Sequence, residues 1–237
     1  MSYSYQQYRV SLGGGRITPG VKYLLFICVA VFLLQSIATR HILVYFGLIP
    51  FLVWKKYFIW QLGTYIFLHG SLFHLIFNLF ALWMFGCQLE RQWGTKNFLK
   101  YFFVTGIGAG ISYALVRPDQ LGPVIGASGA IYGILLAYGM IFPNKMIYVW
   151  FLFPIRAKYF VIIFGVIELY ASIAGTGGGI AHIAHLGGMV FGYIYINYAR
   201  ILKRIYMAYL NYKLQKLRKH IHIVDPKKGE DKKDYIQ

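Results

Sequence analysis

Apolar positions along this chain come in long runs separated by short polar clusters. Runs lie near 21–38, 64–87, 96–116, 128–142, 158–174 and 180–199. A helix that crosses a bilayer needs about 20 mostly apolar residues, with a range near 17–25. The pattern predicts an all-α membrane protein of six transmembrane helices. Its membrane domain would cover 21–199, after an N-terminal cytoplasmic segment 1–20 and before a basic cytoplasmic tail 200–237. Between the first two runs, 39–63 is apolar but broken by Gly47 and Pro50. It is expected to lie in the interface, where Trp and Tyr are at home. The first run has no small-residue cleavage site after it and reads as an uncleaved anchor.

The fourth run differs from the others. Residues 116–127, VRPDQLGPVIGA, carry two prolines and two glycines and make a poor helix. A helix can start only near Ser128 and must stop at Pro143. Fifteen residues at 1.5 Å each give about 22 Å, against a hydrocarbon core near 30 Å. The preceding loop must therefore dip into the membrane to meet it. Irregular backbone survives at that depth only inside protein or beside a water-filled cavity. Ser128 is thus expected at a buried helix N-terminus, where free N–H groups point.

Composition agrees with membrane residence. The chain has 237 residues, 58% hydrophobic and 13% charged, with a mean hydropathy of +0.55; a soluble domain carries roughly 25% charge. The net charge of +17 speaks for topology. With both termini cytoplasmic, the inner segments hold 20 of the 24 Lys and Arg residues, and the outer side holds Arg40, Lys55, Lys56 and Arg117. The tail is expected to rest on anionic lipid headgroups. Basic residues do not alternate with aromatics as nucleic-acid binding would need, so no nucleic-acid partner is expected. Cys28 and Cys87 lie in apolar runs without metal or redox spacing. Neither a metal site nor a cofactor is expected.

Ionisable residues inside membrane runs are costly and usually functional. His74 and Asn78 are four apart and share a helix face. In AHIAHLGGMVFG, His185, Gly188 and Gly192 share another. A glycine face admits a close neighbour, and Gly129 and Gly133 of the fourth helix are the natural partners. That packing would bring His185 to Ser128, with Tyr132 one turn below the serine and against the imidazole. Serine and imidazole supply nucleophile and base. Asn78, His74 and the Ser128 N–H could supply oxyanion donors. Glu168 is the only acid well inside a run, and its place seventeen residues before His185 gives no assurance of contact. The expected site is a Ser–His dyad. A transporter or channel is the competing class, since buried His, Asn and Glu could line an ion path.

Taken together these motifs resemble the rhomboid family of intramembrane serine proteases. The GxSG motif is Gly126-Ala127-Ser128-Gly129, the AHxxG motif includes Ala184, His185 and Gly188, and HxxxN is His74 to Asn78. LERQWG, with Glu90, Arg91 and Gly94, echoes the cytoplasmic end of the family's second helix. Trp60-Gln61 stands where the family has Trp-Arg. The resemblance implies a six-helix rhomboid-like bundle with a short central fourth helix, and Ser128 and His185 as the catalytic pair. It implies cleavage of peptide bonds in or near transmembrane segments of membrane protein substrates, without a cofactor. Substrates would enter sideways, past the second and fifth helices, with GTGGG at 175–179 as a mobile cap. A bacterial inner membrane is the expected location. A non-catalytic membrane chaperone of the same fold is the other alternative.

Overall fold

A computed structural model describes residues 16–149, 152–174 and 180–218. The expected gate cap at 175–179 and the end of the tail lie outside the described residues. The elements in chain order are α1 (Pro19–Ile37), α2 (Thr39–Phe46), α3 (Pro50–Lys56), α4 (Gln61–Thr64), α5 (Leu72–Ala81), α6 (Cys87–Trp93), α7 (Thr95–Val116) and α8 (Ser128–Ile141). A hairpin of β1 (Met146–Val149) and β2 (Phe153–Arg156) follows, then α9 (Ala157–Ala174) and α10 (Ile180–Arg218). Four helical stretches among the described residues are long and apolar enough to cross a membrane: 19–37, 72–93, 95–116 and 157–174. Their outer faces expose large apolar side chains, such as Phe26, Ile37, Tyr170 and Ile173. Apolar surface of that extent is unstable in water. The protein is an integral membrane protein.

Two expectations need correction. The second long helix runs 72–93 rather than 64–87. Ser71 stops it from starting earlier: in extended conformation, its hydroxyl accepts a hydrogen bond from His74 N–H and caps the first turn. At the other end Gly94 turns to φ +77, a left-handed conformation that suits glycine. Between α5 and α6 the helix continues through a widened turn at Leu82–Gly86. The architecture is also not purely helical. β1 and β2 pair antiparallel, with Ile147 opposite Ile155. Pro154 has no N–H to donate, which hides this short strand from the sequence pattern.

The apolar stretch 39–63 folds as α2 and α3, split at Gly47–Ile49, and runs on into α4. Leu48 exchanges both backbone hydrogen bonds with Val124 at 2.9 Å, tying this stretch to the loop before Ser128. Gln61, fully buried, takes a clear structural role. Its Oε1 accepts from Ile49 N–H at 3.0 Å, and its Nε2 donates to the Val44 carbonyl at 2.8 Å.

Glu90 performs a similar task at the far end of the bundle. It is buried, and its carboxylate accepts from Gly20 N–H at 2.7 Å, Val21 N–H at 2.9 Å and the hydroxyls of Thr95 and Thr18. A negative charge at the first turn of α1 meets its free N–H groups and the positive end of its dipole.

α8 lies against α7 and α9, and most of its side chains are buried. Small residues set its spacing. A Cβ on Gly133 would stand 2.5 Å from Thr105 Cβ of α7, and one on Gly129 would stand 2.5 Å from Ala109 Cβ. Tyr101 donates its hydroxyl to the Gly133 carbonyl at 2.7 Å. The chain divides into two units at 196/197. The described part of the second is the C-terminal stretch of α10.

Candidate active site

The loop into α8 is shaped by one glycine. Gly126 has φ +124, a conformation that L side chains rarely adopt. Its N–H donates to the Tyr65 carbonyl at 2.9 Å. A Cβ there would come within 2.8 Å of His74 Nε2 and Cε1. The glycine therefore lets the loop pass directly beneath the His74 ring. Two residues later Ser128 opens α8. First-turn N–H groups have no partner within their own helix, so they face the ground beside the serine hydroxyl.

α10 supplies the imidazole. Gly188 packs on the Gly129 backbone so closely that a Cβ at 188 would overlap the Gly129 carbonyl oxygen. That contact sets His185, one turn earlier, over the start of α8. His185 Nε2 stands 2.8 Å from Ser128 Oγ. Tyr132 stacks flat on the His185 ring, with centroids 4.2 Å apart and planes 12° off parallel. The expected glycine pairing is met at Gly188 and Gly129 but not further along. Gly192 faces the Tyr101 hydroxyl and Gly133 faces Thr105. The two helices diverge after the first contact, and α7 side chains fill the gap.

The sequence left open whether a carboxylate reaches the imidazole, and the structure brings one to it. Glu168 of α9 is buried, and its Oε1 stands 3.0 Å from His185 Nδ1. The contact is close but not aligned as a hydrogen bond, so Nδ1 is buried without a hydrogen-bonded partner. Two other groups hold the carboxylate. Tyr132 donates its hydroxyl to Oε1, and His182 Nδ1 lies 2.6 Å from Oε2. His182 thus stands beside the site, meeting Ser128 only through Glu168 and His185.

The second helix contributes less uniformly than its spacing predicts. His74 sits over Gly126 and turns Nε2 toward the serine loop, while its Nδ1 accepts from Gly70 N–H at 3.4 Å. Asn78 is buried, but one N–H of its amide is bonded at 2.8 Å to the His74 carbonyl of its own helix. His69, absent from the sequence reading, is fully buried and meets the His74 ring edge-on, with centroids 5.1 Å apart. Its backbone is clasped by the Gln35 amide, which donates to the His69 carbonyl at 2.9 Å and accepts from its N–H at 3.2 Å. The one sequence signal for it was a second histidine five residues before His74.

The rhomboid domain family matches residues 57–201, which include Ser128, His185, Glu168 and His74. The chain belongs to the rhomboid family. Among its relatives, Rhomboid protease GluP of Bacillus subtilis is 37% identical over 139 residues, 56% of this chain and 25% of that protein. Rhomboid protein 1, mitochondrial, of Saccharomyces cerevisiae is 33% identical over 141 residues, 54% of this chain and 38% of the other. Presenilin-associated rhomboid-like protein, mitochondrial, of Bos taurus is 33% identical over 147 residues, 57% and 37% of the two chains. This rhomboid chain is matched to well under half the length of each of these relatives. Two of them have mitochondrial names and one is bacterial, so the similarity supports membrane residence without favouring one organelle.

Proposed function

We propose that this rhomboid chain is an intramembrane serine endopeptidase, with Ser128 as nucleophile and His185 as general base. The observation that carries the reading is the 2.8 Å contact between His185 Nε2 and Ser128 Oγ. A hydroxyl placed there only to let helices pack would not require an imidazole nitrogen in line with it. The same contact argues against an ion path, because it joins the two groups to each other.

The chemistry follows from the placement of the groups. His185 Nε2 takes the Ser128 proton as Oγ attacks the scissile carbonyl carbon. The oxyanion forms among the first-turn N–H of α8 and the His74 ring, with the second amide N–H of Asn78 as a further donor. His185 then returns the proton to the leaving amine, and water hydrolyses the acyl enzyme. Glu168 turns the proposed dyad toward a trio. A carboxylate beside Nδ1 favours the tautomer with its proton on Nδ1 and leaves Nε2 free to accept. Tyr132 fixes the ring plane by stacking and the carboxylate by its hydroxyl.

The surrounding architecture is proposed as six membrane helices, with the first half of α10 as the sixth and α8 as the short central fourth. Both termini would be cytoplasmic, and the basic tail would lie on anionic headgroups. The substrates would be transmembrane proteins, cut near the outer end of a span. The test is labelling by a fluorophosphonate probe, followed by coexpression with a panel of tagged single-pass proteins. A rhomboid protease is labelled at Ser128 and cleaves at least one of the panel. A channel or a membrane chaperone of the same fold is not labelled.

A further inference from the structure

We propose that Glu168, His182 and His185 form a binding site for a divalent transition cation such as Zn²⁺, and that its occupancy switches the serine site off. The inference rests on reading His185 as the base for Ser128. Two imidazole nitrogens and one carboxylate are a donor set that zinc takes where three protein ligands leave a fourth position open. His182 and His185 are three apart on α10 and share a face. Both present Nδ1 to the same buried carboxylate, at 2.6 Å from Oε2 and 3.0 Å from Oε1. The three ligand atoms all lie within 4.8 Å of one another.

The spacing is nearly that of a coordination shell. With zinc–nitrogen and zinc–oxygen bonds near 2.0–2.2 Å, tetrahedral ligand atoms stand about 3.4 Å apart. Side-chain adjustments of about an ångström would seat the ion. A second observation points the same way. His185 Nδ1 is buried yet makes no aligned hydrogen bond, although the carboxylate is close. Buried polar nitrogens are normally satisfied. A cation between Nδ1 and Glu168 would give that nitrogen a partner, with the carboxylate offsetting half of the ion's charge.

The consequence for the serine is direct. A metal on Nδ1 replaces the proton there, and the neutral ring carries its proton on Nε2 instead. Nε2 then donates toward Ser128 Oγ, at 2.8 Å, and cannot accept the serine's proton. Proton number on the ring is unchanged; only its position moves. The ion acts as an inhibitor of the base and not as a cofactor. The sequence alone hid this site because Glu168 lies on a different helix from the histidine pair.

The experiment uses the full chain in detergent, stripped with EDTA and titrated with Zn²⁺ against a chromophoric zinc indicator. Unaltered chain and Ser128→Ala should each bind one equivalent. Losing even an outer partner of a metal ligand costs about 10–100-fold in affinity, so His182→Gln and Glu168→Gln should each weaken binding by at least that. His41→Gln, on exposed α2, should bind like the unaltered chain, as should His220→Gln with His222→Gln in the tail. Equal binding by His182→Gln and Glu168→Gln overturns the site. Because either variant could fail to fold, a second readout uses the unaltered chain. Fluorophosphonate labelling of Ser128 should slow in proportion to zinc occupancy and recover with EDTA. Labelling at an undiminished rate with the site full overturns the switch. A chain that binds zinc but is never labelled in EDTA contradicts the serine reading and leaves the metal site standing. One that is labelled but binds no zinc does the reverse.

Discussion

Gly188 lies so close to Gly129 that no side-chain carbon fits between α10 and α8 at that level. The contact is where the helix bearing His185 meets the one bearing Ser128. Gly188→Ala must push the helices apart or bend one of them, because its neighbour is backbone and cannot rotate away. Overpacking typically costs about 1–3 kcal/mol. Gly188→Ala should lower the thermal unfolding midpoint and slow fluorophosphonate labelling of the protein that remains folded. Gly63→Ala is the control. Nothing stands within 4 Å of a Cβ at 63, and alanine in α4 should be neutral or slightly stabilising. Equal labelling rates in the two variants would separate the helix contact from the site.

Glu168→Gln tests whether the carboxylate acts through the imidazole. The amide keeps the shape but can no longer favour a proton on His185 Nδ1. Turnover should fall by about 10²-fold or more, while substrate KM changes little, if Glu168 acts on the imidazole and not on the substrate. His182→Ala removes only one of the groups that hold Glu168, with Tyr132 remaining. It should retain much of the activity. A greater loss in His182→Ala than in Glu168→Gln would give His182 a role of its own.

The two side chains proposed as oxyanion donors, His74 and Asn78, are placed unequally in this structure. Losing one such donor typically costs about 10²–10³ in rate. His74→Ala should approach that range, because the ring covers the loop at Gly126. Asn78→Ala should cost less, because one N–H of its amide is bonded to its own helix. Single-turnover rates with a transmembrane substrate measure both. The opposite order would mean that the Asn78 amide, and not the His74 ring, faces the oxyanion.

Glu90 governs stability rather than chemistry. It is buried and accepts four hydrogen bonds. Hydrogen bonds to a charged group are each worth about 1.5–3 kcal/mol. Glu90→Gln keeps the size but turns an acceptor oxygen into a donor facing the N–H and hydroxyl donors of α1 and Thr95. The unfolding midpoint should drop by several degrees. Labelling of the folded fraction should be unchanged, since Glu90 contacts none of the site residues.

Much of this was legible in the sequence, and what was not has identifiable causes. The start of α8 at Ser128 followed from the prolines and glycines of 116–127, because they exclude a helix locally. His185 was chosen over His182 from glycine spacing, and the structure brings His185 to Ser128. The start of the second long helix was misread because Tyr65, Ile66, Phe67 and Leu68 continue the apolar run, while a single hydroxyl at Ser71 sets the cap. Glu168 was not placed because its contact with His185 joins two helices, and no periodicity within one helix encodes it. Gly192 was paired with the wrong partner because a glycine face shows that something comes close without showing what.

The most direct test of the central claim is proteolysis by purified chain in liposomes, using a tagged single-pass substrate found in the coexpression panel. Unaltered chain should cut the substrate within or beside its span, and fluorophosphonate should block the cut and map to Ser128. Ser128→Ala and His185→Ala, reconstituted in folded form, should leave the substrate whole. Cleavage that persists in Ser128→Ala, or a probe adduct on any other residue, would contradict the account.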